Sequence, residues 1–451
     1  MYGLSWRELR FALLISSSHF TQHVFYRILP PLIPVLAVAL EYPLWQLGLL
    51  ITLYSLGMGI VQAPFGVLSD RIDRRYLLPT GLALAGAAYV LFAFAPTLGA
   101  SVPAVTLLNH SFEGGFLVMS LSMVIVGIGL AVVHPTGYPM ITDNVETESK
   151  GTVLGVFGAS SKFGDAATPA LVALFLLVLP WERIILLFGV GGVVYGIALY
   201  TALRSEEFET LPSGQRTQRN DESSESDESD ESGGLSDEDR RSFFYPITTI
   251  YLFFVSSGLT SHGINAFLPA FLVAVYAYSF ELMGVPIGAE SVANVYFALV
   301  LIAGGVIQLY LGGLLDRYDS RLILIGCMVV ATVGLVVLAV VDLSPLALAA
   351  VVVILGTGLY GVNPARDALI SDLSPPEYEG RIFGYLFTAT SLVGAAFPTV
   401  IGYLLEVLGM RQGFLMLAIG TILAGGCIAL LYSDRIYRTD AEMDARTSPS
   451  D

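Results

Sequence analysis

The chain has 451 residues, of which 55% are hydrophobic and 13% are charged, and its formal net charge is −16. Soluble domains carry about 25% charged residues, and a charge at the centre of a membrane helix is costly, so this composition excludes an ordinary soluble domain and favours a membrane protein. The acidic balance, with lysine only at Lys150 and Lys162, also suggests a source adapted to high salt.

Twelve segments are long and apolar enough to be helices that span a bilayer, which takes about 20 mostly apolar residues. The first is too long to be the core of a cleaved signal peptide. The predicted fold class is therefore an all-α membrane protein with twelve transmembrane helices. In chain order, they are predicted at residues 10–40, 44–68, 77–95, 116–141, 151–179, 184–203, 244–277, 291–314, 321–342, 346–370, 380–406 and 412–433.

The lysine and arginine residues indicate how these helices are oriented, because such residues are enriched in cytoplasmic loops. If both ends of the chain are cytoplasmic, 17 of the 22 basic residues lie inside and only Arg183 and Arg411 lie outside. The remaining three fall within spans. We therefore expect a multi-pass protein of the cell membrane with both termini in the cytoplasm.

An acidic segment separates the first six predicted helices from the last six. Between Arg204 and Arg241 there are 13 acidic and 5 basic residues, which accounts for half of the net negative charge. Residues 221–240 are of low complexity and cannot bury enough apolar surface to fold, although a binding role stays an alternative. The predicted organisation is an N-terminal six-helix bundle at 1–203, a disordered cytoplasmic linker at 204–243, a C-terminal six-helix bundle at 244–433 and a cytoplasmic tail at 434–451.

The two groups of six helices resemble each other in the same direction along the chain. Three blocks align without gaps, and each contains several identical residues in matching positions. Their common order indicates a parallel internal repeat of six helices, as in transporters whose binding site lies between the halves. The aligned blocks are 17–30 with 256–269, 62–75 with 308–321, and 127–143 with 356–372.

One of these blocks carries a motif. The run Gly66-Val-Leu-Ser-Asp-Arg-Ile-Asp-Arg-Arg75 resembles the loop signature between helices 2 and 3 of the major facilitator superfamily of secondary transporters. Asp73 and its copy Asp319 replace a glycine of the family that permits a left-handed turn. Aspartate tolerates that backbone region better than most residues, so we expect the turn to survive. The motif residues are Gly66, Asp70, Arg71 and Arg75, repeated as Gly312, Asp316, Arg317 and Arg321.

The resemblance implies two parallel six-helix repeats, transport by alternating access, and a central path lined by helices 1, 4, 7 and 10. A shorter stretch also resembles drug exporters of the fosmidomycin-resistance type. It consists of Gly127 and Gly129, then His134-Pro135, and a glycine-rich helix 5. The two helix 4 glycines are expected to allow close packing of helices.

Ionisable and polar residues inside the predicted spans concentrate on helices 1, 4, 5, 7 and 10. Such residues are costly in a bilayer and usually face a wet cavity. His19, His23 and Arg27 are spaced i, i+4 and i+8, which places all three on one helix face. The other candidates for the cavity are His134 and Tyr138, Lys162 and Asp165, His262 and Asn265, and Asn363, Arg366 and Asp367.

Structural roles compete with these functional ones. A single histidine in a helix often only makes a packing hydrogen bond. Lys162 and Asp165 are three residues apart and could neutralise each other. Arg366 and Asp367 are close to the cytoplasmic end of their helix and could belong to a gate or a loop.

A cytoplasmic gate is expected from the repeated motif. The resemblance implies a gate that responds to rocking of the halves, and carboxylates are stabilised at helix N-termini. By pseudo-symmetry we expect Asp70 near Arg381 at the start of helix 11, and Asp316 near Lys150 at the start of helix 5. These contacts should hold the inside closed.

These patterns favour a secondary active transporter and not an enzyme. The sequence has no phosphate-binding loop, no metal-ligand spacing and no nucleophile elbow. The predicted partners are a small solute, protons and the lipid bilayer, without nucleic acid or cofactor, and the chain is expected to be a monomer. Three fixed cations against two carboxylates inside the spans favour an organic anion as cargo. The alternatives are a proton-coupled exporter of amphipathic drugs and a non-transporting receptor on the same scaffold.

Overall fold

A computed structural model describes residues 4–205, 207–212, 237–315, 317–373 and 379–433. The helices of its first part are α1 (Trp6–Tyr26), α2 (Leu29–Leu40), α3 (Leu44–Ser69), α4 (Arg74–Ala93), α5 (Ala95–Gly99), α6 (Gly114–Leu130), α7 (Val133–Asn144), α8 (Thr147–Phe175) and α9 (Trp181–Leu203). Those of its second part are α10 (Asp237–Val275), α11 (Ala289–Leu315), α12 (Ser320–Val340), α13 (Pro345–Leu373), α14 (Glu379–Ala395), α15 (Phe397–Leu408) and α16 (Met410–Leu430).

Two short antiparallel hairpins are the strands of the described chain. The first joins β1 (Val105–Leu107) to β2 (His110–Phe112), and the second joins β3 (Phe280–Leu282) to β4 (Val285–Ile287). Because successive spans run in opposite directions, both hairpins and the start of α3 lie on one side of the membrane. We name it the hairpin side, and we name the side where α1 begins the N-terminal side.

Eleven helical segments of the described chain are long and apolar enough to cross a membrane, and each coincides with a predicted span. The remaining predicted span corresponds to α8, which has 29 residues but a polar middle containing Lys162 and Asp165. This helix is long enough to span a membrane, but its middle is too polar to be recognised as a span by composition. Its polar residues must therefore be compensated by neighbouring helices.

The first span is broken into α1 and α2 at Arg27. Pro30 and Pro31 follow the break, and proline both lacks an N–H donor and clashes with the preceding turn, which ends α1. Carbonyl oxygens in the last turn of α1 accept side-chain hydrogen bonds instead. Tyr89 donates to Phe25 at 2.7 Å, and Thr168 donates to Val24 at 3.2 Å. Broken helices of this kind are tolerated in membranes only where such partners exist.

The two aspartates that replace the family glycine do not form left-handed turns. Asp73 has φ −56° and ψ 118°, and Asp319 has φ −54° and ψ 129°. Each is the N-cap of the following helix, and its carboxylate accepts a hydrogen bond from the backbone N–H of Arg75 or Arg321, at 3.0 and 2.8 Å. The predicted left-handed turn was wrong because aspartate is a strong N-cap residue and the helix begins directly after it.

The segment that follows α9 remains packed against the preceding helices. Phe208 is buried, and Asn144 exchanges two 2.7 Å hydrogen bonds with the backbone of Glu209. Residues 207–212 are thus held against the N-terminal side, although the linker was expected to be disordered from residue 204. Of the low-complexity run at 221–240, residues 221–236 lie outside the described residues, whereas residues 237–240 begin α10, so the linker ends earlier than the predicted residue 243.

The described chain forms two compact units. The first comprises residues 1–224 together with Asn265–Ala298 and Ala395–Val407, so it includes parts of both sequence repeats. The second comprises Glu225–Ile264, Leu299–Gly394 and Leu408–Asp451. Each unit has its own apolar interior, that of the second formed by residues such as Phe253, Leu324, Ile370 and Ile428.

The expectation that Gly127 and Gly129 permit close packing is confirmed. A Cβ atom at Gly127 would lie 2.2 Å from the backbone oxygen of Tyr54, and one at Gly129 would lie 2.5 Å from the oxygen of Gly81. These contacts bring α6 against α3 on one face and against α4 on the other. Small residues allow this approach between membrane helices.

Candidate substrate and proton site

The break between α1 and α2 places Arg27 beside the polar middle of α8. Its Nε donates to Oδ1 of Asp165 at 2.8 Å, and both residues expose only 4% of their surface. The Nδ1 of His23 lies 3.0 Å from the same Oδ1 and donates to it. One carboxylate oxygen of a buried aspartate therefore binds an arginine and a histidine at once. Removing Arg27 or Asp165 would leave the other charge buried without its partner.

His23 is one of three histidines whose rings lie close together. The ring centroid of His19 is 4.9 Å from that of His23 and 5.1 Å from that of His134. The Nδ1 of His19 donates to the backbone oxygen of Phe157 at 2.7 Å. Its Nε2 is buried and has no hydrogen-bond partner among the described residues. In neutral His19 this Nε2 is a proton acceptor.

Aromatic rings border the histidines and the arginine. Tyr138 stacks on His134 with centroids 5.9 Å apart, and its ring meets Phe157 edge-on at 5.4 Å. Tyr26 lies under the guanidinium of Arg27, with 4.9 Å between the charged carbon and the ring centroid. Such a cation–π contact stabilises the position of the guanidinium as well as its charge. Tyr138 is half exposed and is the most accessible of these rings.

The structure therefore brings together six candidates that lie far apart in sequence. They are His19, His23, Arg27, His134, Tyr138 and Asp165, and we name them the helix 1 site. Lys162 is half-buried one turn before Asp165. The sequence suggested that these two could neutralise each other; in the structure Asp165 binds Arg27 and His23.

Arg366 and Asp367 form a pair in the second unit. The Nε of Arg366 donates to its neighbour Asp367 at 2.9 Å, and the guanidinium lies 4.9 Å from the ring centroid of Phe254 on α10. The side chain of Asp367 is half exposed. Asn363 is half-buried one turn earlier on α13.

The two candidates on α10 are divided between the units. His262 belongs to the second unit, where its Nδ1 lies 2.8 Å from the backbone oxygen of Gly258 and its ring packs against Gly394. Asn265 is half-buried and belongs to the first unit.

Comparison with known proteins decides the family. Residues 15–300 and 288–446 match the sequence profile of the Major Facilitator Superfamily. The chain belongs to the major facilitator superfamily. It is a multi-pass membrane transporter of the secondary type and not an enzyme. The predicted family and the predicted twelve-helix fold are thereby confirmed.

Solved structures agree on the fold. A bacterial homologue of the human lysosomal transporter Spinster superposes with a TM-score of 0.73 at 14% identity, covering 99% of this chain and 100% of that one. A D-xylose–proton symporter gives a TM-score of 0.72 at 13% identity, covering 96% and 98%. At such identities the likeness concerns the fold alone.

Three curated transporters are similar in sequence over part or most of the chain. A probable L-galactonate transporter of Escherichia coli is 30% identical, but the match spans only 36% of this chain and 32% of that protein. A multidrug resistance efflux pump PmrA homologue of Lactococcus lactis is 23% identical over 80% of each chain. A hexuronate transporter of Bacillus subtilis is 20% identical over 83% of this chain and 82% of that one.

The superfamily's loop motif is arranged around Arg74, a residue that the sequence did not single out for the gate. Arg74 is buried, donates to Asp143 at 2.6 Å, and also donates to Ser69 at the end of α3. Asp70 exposes 74% of its side chain and approaches Arg74 only at 3.9 Å. The sequence signal that was missed is Asp143, a carboxylate near the end of α7 on the N-terminal side.

Among the other motif residues of the first copy and its repeat, some form ion pairs and others lie at the surface. Arg75 pairs with Asp73, while Arg71 and Arg317 are exposed, and a Cβ atom at Gly66 or Gly312 would meet open space. Lys150 is half-buried in the first turn of α8. Asp316 and the side chain of Arg381 lie outside the described residues, so both expected gate contacts stay predictions.

The second copy of the motif has its own anchor. Arg321 donates to Asp319 and to the backbone oxygen of Leu431, and its guanidinium lies 4.3 Å from the ring centroid of Tyr432. Burial alone would raise the pKa of Asp319, but the hydrogen bonds and the charge of Arg321 outweigh it and lower that pKa. The carboxylate therefore remains ionised as a helix cap.

Proposed function

We propose that this chain is a symporter that moves a small organic anion together with protons. The observation that carries the proposal is the shared oxygen of Asp165. It accepts a hydrogen bond from Arg27 at 2.8 Å and another from His23 at 3.0 Å, within transmembrane helices. A cation is thus held in the membrane by an internal carboxylate that a proton can neutralise.

The coupling follows from competition for Arg27. A guanidinium binds carboxylates through parallel hydrogen bonds, and Asp165 occupies the position that a carboxylate of the cargo would take. When a proton neutralises Asp165, the ion pair weakens and Arg27 becomes a partner for an incoming anion. The proton and the anion therefore favour the same state, and each increases the affinity for the other. That relation is what a symporter requires.

The histidines supply a route for the proton. Histidine is the side chain whose ordinary pKa lies closest to physiological pH. His23 already donates to Asp165, and His19 presents its buried Nε2 one turn away. The rings of His19 and His134 are adjacent. This row of side chains is suited to carry a proton between Asp165 and the half-exposed Tyr138.

Two relatives indicate which anions to test first. One is named a probable L-galactonate transporter and another a hexuronate transporter. Galactonate and hexuronates carry one carboxylate on a small polar body, which fits a single guanidinium. Purified protein in liposomes should accumulate one of these radiolabelled sugar acids when protons flow inward. A protonophore should abolish accumulation. Absence of proton-driven uptake for every sugar acid tried would contradict the proposal.

Changing His23 to glutamine tests the coupling separately from binding. Glutamine can still donate to Asp165 but cannot carry a proton. We expect proton-driven accumulation to fall about 100-fold or more, in line with the range of about 10²–10⁴-fold typical of lost proton transfer, while exchange of labelled for unlabelled anion persists. His110→Gln, in the β2 strand, is the matched control and should transport normally. Loss of exchange together with accumulation would argue that His23 is only structural.

A drug exporter is the second candidate. It is favoured by the rings of Tyr138, Phe157 and Tyr26 around the site and by the PmrA homologue among the relatives. In that case the charged groups would only couple protons, and aromatic rings would hold the cargo. Cells that express the chain would then exclude an amphipathic dye in a proton-dependent manner, and sugar acids would not compete.

We also propose that both termini, and the linker between bundles 1–203 and 244–433, are cytoplasmic. The support is the 17-to-2 distribution of basic residues around the spans. A Ser229→Cys variant should resist a membrane-impermeant maleimide in intact cells and react after permeabilisation. As a control for the opposite side, Leu108→Cys, at the exposed tip of the first hairpin, should react in intact cells. The reverse pattern would invert the topology.

A further inference from the structure

Helices α3 and α15 meet in an antiparallel seam on the hairpin side, within the first compact unit. On α3 the contacting residues are spaced by four, at Leu44, Gly48 and Thr52. A Cβ atom at Gly48 would lie 2.2 Å from the backbone oxygen of Pro398, and the hydroxyl of Thr52 is 2.8 Å from that of Thr399. The two backbones are therefore in direct contact, as small residues permit between membrane helices.

The same seam continues to the first turn of α3. A Cβ atom at Gly402 would lie 2.5 Å from the backbone oxygen of Leu44. One turn further along α15, the carboxylate of Glu406 accepts a hydrogen bond from the backbone N–H of Leu44 and faces that of Trp45. The seam thus ends with a carboxylate at the N-terminus of a transmembrane helix.

Helix α3 has no cap of its own. The residue before it is Pro43, which has no side-chain hydrogen-bond acceptor, and no side-chain capping bond is made from that position. The first N–H groups of a helix lack partners within the helix, and a negative charge there is favourable. Glu406, which is 362 positions away in sequence and belongs to the other repeat, supplies the missing cap.

We propose that Glu406 is a gating residue of the hairpin side, whose carboxylate caps α3 only while this side is closed. Alternating access requires the two repeats to part on one side at a time. Parting α3 from α15 removes the cap and leaves the N–H groups of Leu44 and Trp45 to water. The cap therefore stabilises the closed hairpin side relative to the open one. This role depends on neither the identity of the cargo nor the coupling ion.

The test measures how often the seam opens. Thr52→Cys, in a chain whose native Cys327 and Cys427 are replaced by serine, buries a thiol in the seam. A bulky impermeant maleimide added from the hairpin side should label it only when the seam is open. Adding Glu406→Ala should raise the labelling rate about fivefold, the effect of losing one helix cap. Glu406→Gln, which keeps an acceptor without charge, should give a smaller rise.

A matched control exists on the same side. Glu113 precedes α6 but makes no side-chain capping bond, so Glu113→Ala should leave the labelling rate unchanged. A second measurement works even if the variants are poorly expressed. Oxidative cross-linking of a Thr52→Cys/Thr399→Cys pair in native membranes should be slower in the Glu406→Ala variant. Unchanged labelling and cross-linking in the Glu406 variants, or an equal effect of Glu113→Ala, would overturn the proposal.

Discussion

Replacing Arg27 with glutamine is expected to destabilise the protein strongly, and replacing Asp165 with asparagine as well is expected to restore stability without restoring transport. Breaking a buried ion pair from one side costs about 3–5 kcal/mol, because the remaining charge is left buried without its partner. Removing both charges abolishes that cost. The anion, however, still has no guanidinium to bind.

The experiment compares four proteins: the wild type, Arg27→Gln, Asp165→Asn and the double variant. Thermal unfolding in detergent should give both single variants a melting temperature well below that of the wild type. The melting temperature of the double variant should lie between those of the single variants and that of the wild type. Proton-driven uptake of the anion should be absent in both chains that lack Arg27. A purely structural pair would instead regain transport when it regains stability, which would contradict the assignment of Arg27 to the cargo.

An exposed ion pair serves as the control for this cycle. Arg411 pairs with Asp342, and their side chains are 36% and 90% exposed. Exposed pairs contribute about 0–1 kcal/mol. Arg411→Gln should therefore change unfolding little and need no compensating substitution. A large effect there would show that the measurement reports general sensitivity to arginine loss and not burial of a pair.

The helix 1 site shows how far the sequence could predict this molecule. The spacing of His19, His23 and Arg27 correctly predicts neighbours on one face, because helical period is a local property. Asp165, the shared partner of His23 and Arg27, was identified as a candidate, but its pairing was not predicted. The nearer cation Lys162 is the natural partner by sequence distance, whereas packing of α1 against α8 decides the contact.

The hydrogen bonds that stabilise the break between α1 and α2 could not be predicted from the sequence either. Pro30 and Pro31 were visible, yet the sequence does not say that Tyr89 and Thr168 would supply hydrogen bonds to the broken turn. Those donors come from α4 and α8 and depend on tertiary packing. The break matters for the site, because it ends α1 at Arg27 and directs the guanidinium toward Asp165.

The loop motif illustrates a different limit. It lies between α3 and α4, but a pattern of charges does not distinguish an exposed aspartate from a buried arginine. Arg74 is buried because Asp143 and the end of α3 surround it, and neither neighbour is adjacent in sequence. The helix caps at Asp73 and Asp319 were predictable from residue type alone. Comparison with the glycine at this position of the family motif instead led to the prediction of a left-handed turn.

The seam between α3 and α15 predicts a second large effect. Gly48→Ala is expected to lower transport severely, because its methyl group would meet the backbone oxygen of Pro398 at 2.2 Å. Overpacking of this kind costs about 1–3 kcal/mol, which shifts a two-state equilibrium by about 5- to 150-fold. The cost falls only on the state in which the hairpin side is closed.

Gly59 on the same helix provides the control, because a Cβ atom there would meet nothing within 4 Å. Both substitutions add the same methyl group and the same helix propensity, worth about 1 kcal/mol in favour of the helix. Gly59→Ala should therefore fold and transport normally, while Gly48→Ala should fold, increase thiol labelling at Thr52→Cys and transport poorly. Normal transport by Gly48→Ala would mean that the cycle does not require this contact, since no shift of a side chain can relieve a clash with backbone.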